Sequence, residues 1–78
     1  MPTVLFLYGY RFYFFMNEHE PRHIHISRGK NEARVVLIPE IQLPYNRGFK
    51  KNELRQIIDL IIENYETIIR AWNNTFGK

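Results

Sequence analysis

Seventy-eight residues leave room for one domain and one core, and 45% hydrophobic with 15% aromatic side chains can make that core dense. The absence of cysteine excludes disulfides, a thiolate nucleophile and cysteine-bound zinc, and leads us to expect a reducing, cytoplasmic setting. The formal charge of +3 is modest. No stretch approaches the roughly 20 apolar residues of a membrane span or the layout of a signal peptide, so a soluble protein is expected.

Thr3 to Leu7 and Tyr10 to Phe15 are β-branched and aromatic runs joined by Tyr8-Gly9, a connection whose glycine suits a tight hairpin. Both runs are apolar on successive residues, so burial on most of both faces, or cover from a partner, is expected. Asn17 to Pro21 is polar and reads as a loop. Arg22 to Ser27 then alternates, with Ile24 and Ile26 pointing to one side and His23, His25 and Ser27 to the other. Arg28-Gly29-Lys30-Asn31 supplies a second turn, and Glu32 to Ile38 is a fourth strand stopped by Pro39. Ile41 to Leu43 is a candidate edge segment, and Pro44 to Phe49 a loop into the helix.

From about Asn52 the apolar period changes from two to 3.6. Leu54, Ile58, Ile61, Tyr65, Ile68, Trp72 and Phe76 form one stripe, which Ile57, Ile62 and Ile69 widen. Arg55, Asp59, Glu63, Glu66, Arg70 and Asn73 occupy the opposite side. No glycine or proline interrupts the run before Gly77, so one helix is predicted over residues 50–76, with Asn52 as a candidate N-cap and a bend near Asn64 left open. Leu60 falls off the stripe and is a candidate dimer or partner contact. The predicted architecture is α+β: an antiparallel sheet of about four strands, two hairpins within residues 1–49, packed by one long C-terminal amphipathic helix.

All three histidines stand within seven residues, His19-Glu20-Pro21-Arg22-His23-Ile24-His25. On a strand, His23 and His25 share a face with backbones about 6.5–7 Å apart, and Pro21 stiffens the approach of His19. Three imidazoles with an open position fit zinc or a similar divalent ion, Glu18 or Glu20 serving as fourth ligand or base. The same histidines fit acid–base work on a phosphodiester held by Arg22, Arg28 and Arg34, or contact with RNA or DNA without chemistry. They also fit a half-exposed sheet face on which the histidines are hydrogen-bonded to neighbours or covered by a protein partner.

Charge is unevenly spread: residues 1–51 carry eight Lys or Arg against four Asp or Glu, and residues 52–78 carry three against four. A basic sheet half favours phosphate-bearing partners. Asn46-Arg47-Gly48-Phe49 has a glycine suited to positive φ, and with Lys50 and Lys51 it is a candidate phosphate-binding turn ahead of the helix; it reads equally as a loop closing helix onto sheet.

Seven sequence pieces, in order and over nearly the whole chain, carry a family resemblance: Met1-Pro2-Thr3-Val4, Gly9-Tyr10-Arg11-Phe12, His19-Glu20-Pro21-Arg22-His23-Ile24-His25-Ile26, Glu32-Ala33, Asn46-Arg47-Gly48-Phe49, Glu53-Leu54 and Trp72-Asn73. They resemble a bacterial family, the domain-of-unknown-function family 4160, the His-x-Pro-x-His-x-His element being the most specific. Members look like short proteins encoded beside a second small protein of unknown function, family 2442, an arrangement similar to toxin–antitoxin pairs. The resemblance implies a protein partner, with nucleic acid as a target, and a shared importance of His19, His23 and His25 without naming their chemistry. Arg22 stands where members often have a second proline, which adds positive charge there.

The leading expectation is therefore a small interaction protein of a toxin–antitoxin-like module, binding a protein partner and RNA or DNA through the basic, histidine-bearing sheet side. Its binding residues would be Arg22, Arg28, Arg34, Arg47, Lys50 and Lys51. The alternative is a hydrolase or nuclease, metal-dependent or not, built on His19, His23 and His25. A third expectation is an assembly subunit that buries its apolar hairpin and Leu60 in a homodimer.

Overall fold

The computed structural model describes residues 3–15 and 20–77. Five strands form one antiparallel sheet in the order β1-β2-β3-β4-β5: β1 (Thr3–Leu7), β2 (Tyr10–Tyr13), β3 (His23–Arg28), β4 (Asn31–Val36) and β5 (Gln42–Arg47). Two helices follow, α1 (Lys51–Glu63) and α2 (Tyr65–Phe76). Every sheet neighbour is also a chain neighbour, so the topology is a meander in which each connection can be short.

The alternation expected for β3 sets the layers. Ile24 and Ile26 are fully buried, and they share the helix-facing side with Tyr10, Phe12, Phe14, Ala33, Val35 and Leu37. Against this face the helices set Ile57, Leu60, Ile61, Ile68 and Trp72. Trp72 packs edge-on to Phe14, ring centroids 5.3 Å apart, and against Phe76 at 4.5 Å. Two polar ties fix helix to sheet at either end: Tyr10 Oη donates to Gln56 Oε1 at 2.9 Å, and Tyr65 Oη donates to the Leu37 carbonyl at 2.7 Å.

Four expectations need correction here. The fourth hairpin partner is a full strand: β5 runs through Pro44, which had been assigned to a loop. A register shift makes this feasible, because Arg34 pairs with Tyr45 and Val36 with Gln42, leaving Leu43 and Pro44 together opposite Val35. Proline lacks a ladder donor and is tolerated at an edge-strand bulge of this kind.

The single helix is two. At Asn64 the backbone leaves the helical region (φ −112°, ψ 21°), and the Asn64 side-chain amide donates to the Leu60 carbonyl at 2.8 Å. A side chain bonding the carbonyl four residues back competes with the backbone ladder and bends a helix. Freed from a common phase, α1 turns a different arc to the sheet. Measured from Leu54 at 100° per residue, its buried Ile57, Leu60 and Ile61 lie at about −60°, −120° and −20°. Leu60 is thus core, 7% exposed, and Ile62, at about +80°, is the side chain left out at 55%. The helix also starts earlier than Asn52: Lys50 is the N-cap residue, and its backbone N–H donates to the Glu53 carboxylate at 2.7 Å.

Gly48 joins β5 to α1 with φ +99°, and a Cβ there would run into the side chain of Asn31. Gly29, in the β3–β4 turn, also has positive φ (+61°) but open space around it. Left-handed strain costs a non-glycine residue about 1–3 kcal/mol, and Gly48 adds a collision. We therefore expect Gly48→Ala to lower the thermal midpoint by several degrees more than Gly29→Ala, about 4–8 °C being lost per kcal/mol in a domain of this size. Equal midpoints would remove the special place given to Gly48.

Candidate functional site

The face of the sheet turned away from the helices carries the side chains that β-pairing aligns with His23 and His25. Across the strands, Tyr13 pairs with His25, His25 with Arg34, and Arg34 with Tyr45. One row up lie Phe6, Arg11, Ser27, Glu32 and Arg47; one row down, His23, Val36 and Gln42. Directly opposed residues share a face, so this order follows from register alone.

The central row is packed ring on ring. His25 stacks on Tyr13, centroids 5.5 Å apart and planes within 26°, and Phe15 lies 4.2 Å from the same imidazole. His23 stands 5.2 Å from His25 and 5.8 Å from Trp72, so the rings of the open face run into those of the core at this end of the sheet. Arg11 places its guanidinium 4.4 Å from the centre of the Tyr13 ring and donates to Thr3 Oγ1 at 2.9 Å. Tyr13 is only 7% exposed although it faces away from the helices. Tyr13, Phe15, His25, Arg34 and Tyr45, with Glu32 and Ala33, line a shallow cavity of about 250 Å³.

Two of the three histidines of the cluster lie among the described residues. His23 Nδ1 lies 2.7 Å from the Pro21 carbonyl oxygen. A carbonyl only accepts, so Nδ1 carries the proton in the neutral ring and Nε2 is the basic nitrogen. His19 and Glu18 lie outside the described residues. Among the described residues no three His, Asp or Glu side chains gather where a metal ion could sit.

The expected cationic residues are dispersed rather than gathered. Arg34 and Arg47 belong to the open face, where Arg47 pairs with Glu32 at 3.2 Å. Arg22 pairs with Glu20 at 3.4 Å just before β3, its carbonyl accepting from Leu37 N–H. Arg28 lies on the helix side: its guanidinium sits 4.2 Å from the Tyr10 ring centre, donates to Glu53 Oε2 at 2.6 Å and reaches the Tyr8 carbonyl at 3.3 Å. It thus clamps the first turn to the start of α1. The Lys50 N–H, ahead of Arg28, holds the Glu53 carboxyl below its usual range. Lys50 and Lys51 line a separate shallow cavity with Asn52 and Arg55, in the helix layer. Asn46 braces the turn before them, accepting from Phe49 N–H at 3.2 Å and donating back to the Phe49 carbonyl at 3.1 Å.

Sequence reasoning missed Tyr13, Phe15 and Tyr45 as site residues. The usable signal was parity: Arg11, Tyr13 and Phe15 alternate with Tyr10, Phe12 and Phe14, and only the latter set joins the core cluster. Tyr45 was hidden by the assignment of Pro44 to a loop.

A model of the family described as "Domain of unknown function (DUF4160)" matches residues 9–73 of the chain. No curated protein and no solved structure matches it. Among the described residues no helix is long and apolar enough to cross a membrane.

The packed row makes one titration distinctive. Burial, and after it the charge of Glu32, push the Tyr13 hydroxyl above its ordinary pKa of 10.0, against the opposing pull of Arg11 and a hydrogen bond from Ser27. An acid raised on folding stabilises the fold fully below its unfolded pKa, and that contribution is lost as pH rises through the folded value. Tyr13→Phe should therefore remove one component of the tyrosinate absorbance rise, one that titrates above the ordinary value of 10.0, and should soften the alkaline loss of stability. A variant titrating like the parent would contradict the packing described for this ring.

Proposed function

The chain belongs to the DUF4160 family, and we propose that it is a small interaction protein, one half of a toxin–antitoxin-like pair, that docks its partners on the open, histidine-bearing sheet face. The observation that supports this is the cavity row itself. Exposed Tyr45 and Phe15 line the same cavity as Arg34, whose guanidinium makes no ion pair or hydrogen bond among the described residues, on the side of the sheet turned away from the two helices. Aromatic rings and arginine are the side chains that most often carry the binding energy of an interface. Phe6, 66% exposed on the same face, extends the apolar part of the surface.

The protein partner expected from the family resemblance is the second small protein, family 2442. Mixed with it, the chain should elute as a complex in size-exclusion chromatography. Arg34→Glu and Tyr45→Ala should each weaken that complex about tenfold or more with unchanged melting temperature. A complex indifferent to both substitutions places the interface elsewhere, and the absence of any complex removes the pairing.

A second reading is favoured by the His23 geometry. With Nδ1 held by the Pro21 carbonyl, Nε2 is the nitrogen able to take a proton, and His25 stands beside it as a second titratable ring. In this reading the pair serves hydrolysis of a phosphodiester. The double variant His23→Ala/His25→Ala should then melt near the parent temperature and lose cleavage of a fluorogenic RNA. Cleavage that survives in the double variant, or a parent without cleavage, disposes of it.

A further inference from the structure

We infer that the ligand chemistry of the open sheet face is that of a single-stranded nucleic acid, whose bases stack on Tyr45 and Phe15 while Arg34 takes the adjoining phosphate. This deepens the reading of that face as the binding surface and depends on it.

Charge is the first argument. Among the described residues of the open face, Arg34 and Arg47 stand against one acid, Glu32, while Arg11 is already engaged with Thr3 and the Tyr13 ring. Glu32 is already neutralised by Arg47 across an exposed pair of 3.2 Å. Such pairs are worth about 0–1 kcal/mol, so Arg47 can exchange its carboxylate for a phosphate at little cost. Among the described residues Arg34 has no such partner to give up, and its planar fork matches phosphate oxygens two at a time. The face is therefore complementary to a polyanion.

Ring geometry is the second. Strands are spaced about 4.8 Å apart, so the row from Tyr13 to Tyr45 spans about 14 Å, with Arg34 between the imidazole of His25 and the phenol of Tyr45. The row reads ring, ring, guanidinium, ring, so a phosphate held by Arg34 has the Tyr45 ring on one side and the His25 and Phe15 rings on the other for its flanking bases. Every base offers a π-face, so stacking of this kind tolerates sequence. The cavity, about 250 Å³, is smaller than the roughly 300–1,000 Å³ of a typical enclosed small-molecule pocket, which favours a platform along which a strand lies. Duplex bases are already stacked on one another, and a sheet laid flat has no element to enter a groove; hence a single strand.

The test is fluorescence anisotropy with labelled twelve-nucleotide oligomers of mixed sequence, as single-stranded RNA, single-stranded DNA and duplex DNA. Binding of a single strand at 50 mM salt is expected, weakening at 200 mM with a slope of about −0.7 per phosphate contacted. Tyr45→Ala should lose about five- to a hundredfold in affinity, the range seen for one stacked base, whereas Tyr45→Phe, which keeps the ring, should stay near the parent. Arg34→Ala should lower both the affinity and the salt slope, and Arg55→Ala in the helix layer should do neither. RNA and DNA arms of unequal affinity identify the natural strand. Preference for the duplex, or affinity that Tyr45→Ala and Arg34→Ala leave intact, overturns the inference. If no oligomer binds while the family 2442 protein still forms a complex sensitive to Arg34→Glu, the nucleic-acid assignment fails and the docking face stands; if neither binds, both fall.

Discussion

Strand β3 occupies the middle of the sheet, and its strict two-residue alternation divides the molecule in two. Ile24 and Ile26 are wholly buried under the helices, while His23 and His25 emerge between Tyr13, Phe15 and Trp72. A shift of one residue in the pairing with β2 or β4 would send imidazoles into the apolar core and isoleucines to the open face. Register is therefore set by the cost of burying polar rings without partners. The order of side chains on the outer face follows from the same constraint.

The helix layer answers a different demand. A straight 27-residue helix would have to hold one face against a sheet that twists beneath it. The Asn64 amide, bonded back to the Leu60 carbonyl, divides the layer so that each half adjusts separately. The result exchanges Leu60 for Ile62 as the buried side chain. Arg28 closes the other end of this layer. It lies over Tyr10, reaches the Tyr8 carbonyl and pairs with Glu53, so one side chain ties the first hairpin turn to the first turn of α1.

Much of this architecture was legible in the residues. The Tyr8-Gly9 turn, the inward and outward sides of β3, the second turn at Gly29 and the helical period all appear where expected, because each rests on a local rule of backbone geometry. What was hidden depends on partners distant in sequence. Pro44 reads as a strand breaker until the bulge opposite Val35 accommodates it. Leu60 reads as exposed until the bend at Asn64 rephases α1. At the site, the nearness of His23 to His25 followed from spacing. The involvement of Tyr13, Phe15 and Tyr45 did not, since aromatic residues in a short chain are read as core. Arg28 illustrates the converse error: a cation near a turn looks available for a ligand, and only the tertiary contact with Glu53 shows its structural employment.

One further consequence lies in β5. All six of its residues are exposed, and none belongs to the buried cluster. Such a strand is retained by its backbone ladder and the Asn46 brace rather than by hydrophobic burial. Segments with few buried contacts occupy the low end of the local-unfolding scale, so amide exchange should be fastest there among the strands that pair with β4. Since Tyr45 belongs to this strand, anything gripping that ring also fastens the sheet's outermost margin, and occupancy becomes visible as slowed exchange along Gln42–Arg47.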